Sequence, residues 1–123
     1  MVIPITLPAG TSAFEAITDH QPGYRRFVES AAIFTAVAST GAGATREFRI
    51  IKNASTVVAT GTVTLALTAT PGAGLSLTVT DANAEFVDGD TFTVDSPAAG
   101  AVAFTAGVIN LIVNFRSRLQ AVS

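Results

Sequence analysis

The chain has 123 residues, enough for one domain with a real core, and a formal net charge of −2. Hydrophobic residues make up 49% and charged residues 13%, so Thr and Ser, or a covering protein, must shield much of the surface. With no Cys, disulfides, thiolate chemistry and Cys-ligated zinc are excluded, and the charge gives no drive toward nucleic acid or anionic lipid.

Residues 1–23 read as an N-terminal extended arm with the first strand or strands, and residues 24–123 as a β-sandwich domain. The opening MVIPITLPAGTSAFE lacks the basic start and long apolar run of a secretory signal. Val2, Ile3, Ile5 and Leu7 are interrupted by Pro4 and Pro8. Such a segment either adds to a partner's edge or groove, or forms the first strand. Ala13 to Asp19 is the one helical candidate, too short and poorly patterned to assign. His20, the sole histidine, sits in HQPGY, an exposed turn set by Pro22-Gly23. Its neighbour Asp19 would point to the opposite face of an extended chain, which is not the geometry of a catalytic triad.

From Phe27 to Ala38, FVESAAIFTAVA is apolar on both faces, with Phe27, Ala31, Ile33 and Val37 on one and Val28, Ala32, Phe34 and Ala36 on the other. Either this is a central strand covered on both sides, or its second face meets another subunit. The low charge favours the oligomer, with Phe27, Ile33, Phe34 and Ile112 as interface residues.

Beyond it the pattern has period two. Phe48 and Ile50 alternate with Glu47, Arg49 and Ile51; in TVTLALT, Val63, Leu65 and Leu67 share a face; in LSLTVT, Leu75, Leu77 and Val79 do. Phe92 and Val94 follow the same rule, and Ile109, Leu111, Val113 and Phe115 oppose Asn110, Ile112, Asn114 and Arg116. Gly- and Pro-containing breaks between the runs predict an all-β fold, an antiparallel β-sandwich or jelly roll. Ser96 to Phe115 has the length of a membrane helix, but Pro97, Gly100, Gly107, Asn110 and Asn114 argue against a span.

In FVDGDTFTV, Asp88 and Asp90 alternate as calcium ligands do, but the chain runs straight into a strand with no bidentate Glu at the required spacing. They are retained only as weak metal candidates. Asp-Gly accepts positive φ, which predicts a corner that turns a hairpin or leads into a strand. Glu15, Glu29, Glu47 and Glu85 are scattered and Lys52 is the only lysine, so no catalytic or cofactor site is expected. Arg25-Arg26 and Arg116-Ser117-Arg118 are the basic concentrations, either solvated strand ends or anchors for an acidic protein surface.

FVDGDTFTV, reached from LSLTVTDANAE, resembles a strand-turn-strand phrase of structural proteins in tailed-bacteriophage virions. REFRIIKNASTVVATGTV resembles the hairpin of jelly-roll domains of the tumour-necrosis-factor and complement-head type, with Asn53-Ala54-Ser55 in place of Asn-Gly. Together the phrases span about residues 46–94, with INLIVNF as a closing strand. The resemblance implies a capsid decoration (cement) protein. Such a protein is non-enzymatic and often a homotrimer, and it sits on the capsid exterior, bound to the major capsid (coat) protein. No cofactor, nucleic acid or membrane is expected. For docking, the candidates are Val2, Ile3, Ile5 and Leu7, then Arg25, Arg26, Arg116 and Arg118. The competing readings are a neck or tail component, and a glycan-binding sandwich using Phe86 or Tyr24 beside Asp88.

Overall fold

Period-two alternation, short runs and Thr-rich outer positions build strands that each bury one face. The computed structural model describes residues 2–7, 14–17, 26–39, 41–42, 45–87, 89–97, 103–104 and 107–117. In chain order these form β1 (Val2–Thr6), β2 (Phe14–Ile17), β3 (Arg26–Val37), β4 (Gly41–Ala42), β5 (Thr45–Lys52) and β6 (Thr56–Thr64). A helical turn α1 (Leu65–Thr68), β7 (Gly74–Ser76), β8 (Thr78–Val79) and a 3-10 turn (Asp81–Asn83) follow. The chain continues through β9 (Glu85–Phe86), β10 (Phe92–Ser96), β11 (Ala103–Phe104) and β12 (Val108–Ser117).

The first sheet runs β1-β12-β3-β7, with β9 also on β3; the second runs β2-β10-β5-β6-β8; β4 and β11 form a small ribbon. The pairings are antiparallel. Early and late strands lie side by side in both sheets, and successive strands alternate between them apart from the β5–β6 hairpin. That order is a jelly roll, an antiparallel β-sandwich.

The core is filled from both inner faces. Ile3, Ile5, Ile33, Ile109, Leu111 and Val113 come from the first sheet, and Phe48, Ile50, Val58, Val63, Phe92 and Val94 from the second. The pattern of β12 is as read from sequence. In β3, a register shift opposite Asn114/Phe115 instead turns Val28 inward with Ala31 and Ile33, leaving Ala32, Phe34 and Ala36 outward.

Two predicted strands are corrected. TVTLALT ends as strand at Thr64, the residue paired with Thr45 where β5 begins, so the sheet offers no further partner. The chain coils into α1, where Thr64 Oγ1 accepts from Leu67 N at 3.2 Å. LSLTVT splits, with β7 pairing β3 in one sheet and β8 pairing β6 in the other. Leu77 is buried at the crossing and donates its N–H to Ala31 O at 2.8 Å. Of the helical candidate Ala13 to Asp19, the described part, Phe14–Ile17, is strand β2. Among the described residues, no helix is long and apolar enough to cross a membrane.

Candidate interaction surface

The acidic turn is a corner between sheets and not a hairpin, since β9 pairs with β3 while β10 pairs with β5 and β2. Asp90 N donates to Val87 O at 3.0 Å, and Gly89 takes φ 93, a conformation open to glycine without strain. The two Asp90 carboxylate oxygens accept from Val87 N and Asn53 Nδ2, both at 2.9 Å. Asn53 Oδ1 in turn accepts from Thr91 N at 3.0 Å. These bonds, the Val87 N–H first, then Asn53 and the Lys52 charge, hold the Asp90 carboxyl below its ordinary pKa. Asp90 therefore ties this corner to the β5–β6 turn. Asp88, the other metal candidate, lies outside the described residues. Among those described, no group of three His, Asp or Glu converges on a metal-sized point.

At the same end of the sandwich three phenyl rings run in a row. Phe86 and Phe92 centroids are 5.5 Å apart, and those of Phe92 and Phe115 are 6.2 Å apart. Lys52 Nζ lies 5.7 Å from the Phe86 centroid, and Arg26 Cζ lies 4.1 Å from that of Phe115. Arg116 is exposed, with its Cζ 5.8 Å from the Phe27 ring. Arg26 is thus spent within the fold, whereas Arg116 remains accessible. Arg25 and Arg118 lie outside the described residues, as do Asp19, His20 and Tyr24. Phe86 is fully buried and cannot offer a ring to a sugar.

Burial divides the proposed contact residues. Ile3, Ile5 and Leu7 are sealed in the core because β1 is a sandwich strand paired with β12, so they cannot dock on a partner. Only Val2 of that set, 61% exposed, faces out. Ile33 also points into the core and is excluded from any interface, and Phe27 packs partly against the core. Phe34 is 40% exposed, and Ile112 stands beside it, half-buried on the same outer face.

The two outer faces differ in chemistry. On the second sheet, Arg49 grips Asp95 with two bonds of 2.9 and 2.7 Å, and Thr60 Oγ1 donates to Glu47 at 2.8 Å. The Asp95 carboxylate raises the pKa of Arg49. On the first sheet three outward cross-strand rows carry no charge, Val2–Ile112–Ala32–Ser76, Pro4–Asn110–Phe34–Gly74 and Thr6–Val108–Val37. The charges lie toward the other end of the strands, where Arg116, Phe27 and Glu85 form a row. Phe34 lies over Gly74, where a Cβ would stand 2.5 Å from its Cδ1.

Beside Phe34 the face drops into an open groove of about 470 Å³, floored by Ala32, Ser76 and Ile112 and rimmed by Glu29, Asp81 and Asn114. It forms where the chain leaves β7, paired with β3, for β8 in the other sheet. Along that gap Leu77 N to Ala31 O and Val28 N to Ala84 O bridge to β3. A smaller hollow next to it is lined by Phe27, Glu29, Asp81 and Arg116. Sequence patterning missed the groove, because only a crossing between sheets brings Asp81 to Glu29. It also missed Arg46, which is 1% exposed and whose Nε donates to Ser96 Oγ at 2.9 Å. Burial lowers its pKa.

No protein-family profile and no curated protein matches this chain. Among solved structures it is similar to a Xyl-CBM35 in complex with a glucuronic acid-containing disaccharide, at 18% identity over 90% of this chain and 73% of that one, with a TM-score of 0.42. It is also similar to a structure of Desmodium yellow mottle tymovirus, at 12% identity over 100% of this chain and 90% of that one, with a TM-score of 0.38. At such scores the likenesses carry no argument, and the jelly-roll assignment rests on the strand order.

Proposed function

We propose that this protein is a non-enzymatic virion structural protein that decorates a phage capsid by binding coat-protein junctions. The observation that carries the reading is the uncharged part of the first sheet's outer face, on which Val2, Phe34 and Val37 are exposed. An apolar face of this kind on a domain with a complete core of its own is suited to burial against protein neighbours. Two further facts support the reading. The Asp90 and Asp95 carboxylates are engaged in hydrogen bonds that hold the fold. The sequence also resembles tailed-phage virion proteins in FVDGDTFTV. Each bound copy would add a small contact, and many copies on a lattice would stabilise the shell by mass action. The test is uptake by purified phage capsids. Co-sedimentation and a raised shell-disruption temperature are expected, both lost in Phe34→Asp. Binding to isolated necks or tails in place of shells would move the protein elsewhere in the virion.

One observation favours a second reading, a glycan-binding sandwich. The Phe34 ring stands beside Glu29, Asp81 and Asn114, an aromatic platform with hydrogen-bonding groups around it. Retention on a carbohydrate array, abolished by Phe34→Ala with shells ignored, would favour it over decoration.

A further inference from the structure

The first sheet's outer face carries both a projection and a matching hollow. Phe34 stands exposed, held on the sheet by the absence of a side chain at Gly74, and the groove beside it has a floor of small or short side chains, Ala32 and Ser76, next to Ile112. We propose that the occupant of this groove is Phe34 of a second copy of the chain, in a two-fold pair packed face to face. The proposal rests on the reading of this face as an interaction surface, but not on the identity of the virion; pair and coat compete for the face, so a copy docked on a shell through Phe34 has left the pair.

Three arguments point to a copy of the same chain. First, a two-fold contact sets a surface against itself, so it favours a face whose rows carry no charge; the rows through Ala32, Phe34 and Val37 satisfy this. Second, the charged groups lie at one end only. An axis running across the strands carries the Glu29–Asp81 end of each copy to the uncharged Val37 end of the other, so like charges do not meet. The same rotation brings each Phe34 toward the partner's Ala32 row, where the hollow lies. Third, four strands about 4.8 Å apart over some six residues give a face of roughly 400 Å² per copy, or about 800 Å² in total. That is smaller than a stable dimer buries and predicts a weak pair that forms and dissociates with concentration. A trimer, by contrast, needs two different patches on each copy, and this is a single continuous face.

Sedimentation equilibrium of the full chain over a wide concentration range tests this. The expected result is a reversible monomer–dimer equilibrium that shifts across that range. Phe34→Asp and, independently, Ser76→Lys should shift it at least tenfold toward monomer. Thr62→Asp, exposed on the opposite sheet, should leave it unchanged. Circular dichroism and unchanged thermal midpoints of the diluted variants would show that the monomer fold is intact. A single monomer mass at every concentration, a trimer mass, or dimers of Phe34→Asp as strong as wild type would overturn the proposal. Capsid uptake is scored separately, so a dimer that ignores shells would refute the decoration role while leaving the pair standing.

Discussion

Phe34 and Gly74 are cross-strand partners, and the phenyl ring occupies the place a Cβ on residue 74 would need. The ring's position on the outer face is therefore set by a missing side chain on the neighbouring strand. Gly74→Ala should push the ring off the sheet toward solvent. Because Phe34 is 40% exposed and free to swing away, the stability cost should stay below about 1 kcal/mol. Self-association, however, should weaken markedly. Urea melts and sedimentation on the same variant separate the two effects, and an unchanged association constant would mean that the ring's placement does not matter.

The β5–β6 hairpin turns through Lys52–Ser55 with Asn53 at φ 53 and Ala54 at φ 63, both in the left-handed region that type I′ turns require. Asn tolerates this; Ala does so at a cost of about 1–2 kcal/mol. Ala54→Gly should accordingly raise stability by about 0.5–1 kcal/mol, after allowing for glycine's greater freedom in the unfolded chain. Chemical denaturation measures it, and a loss of stability would contradict the turn assignment.

Asp90 is held below its ordinary pKa by Val87 N–H, Asn53 and Lys52. Its carboxylate therefore contributes stability that is full above the unfolded value, about pH 4, and is lost as pH falls through the lower folded value. Asp90→Asn should be less stable than wild type at neutral pH, by about 1 kcal/mol for hydrogen bonds at an exposed corner. The difference should shrink on acidification below about pH 4, where the unfolded chain's carboxyl takes up its proton before the native one does. A gap that is constant from neutral to strongly acid conditions would remove Asp90 from this role.

Phe92 sits in the middle of the phenyl row and is 1% exposed. Phe92→Ala should cost about 3–5 kcal/mol through lost burial and the cavity it leaves. Breaking the Arg49–Asp95 pair on the second sheet's outer face should cost less than about 1 kcal/mol, because both side chains remain partly in water. Thermal or urea unfolding of the two variants side by side tests the ranking.

Much of the fold was legible from residue alternation alone. In β5, β10 and β12 the inward residues, from Phe48 through Phe92 to Val113, are those that period two selects. Patterning failed where strands change partners. LSLTVT keeps one apolar face throughout, so nothing local reveals that β7 and β8 belong to different sheets. The same blindness explains the N-terminal segment. Val2, Ile3, Ile5 and Leu7 alternate as either an arm or a strand would, and only the pairing with β12 decides for the strand. On β3, one shifted register reassigns Val28 to the core, while plain alternation puts Ile33 inside and Phe34 outside, although sequence had grouped the two as interface residues.

The antiparallel match of β1 with β12, Val2 opposite Ile112 through Thr6 opposite Val108, has a kinetic corollary. A sheet whose outermost strand waits for a segment near the far end of the chain has high contact order, so folding should be slow, on the millisecond-to-second scale. During synthesis the edge of β3 would stand without β12 until late, exposing Ile33 and its neighbours while nothing yet covers them.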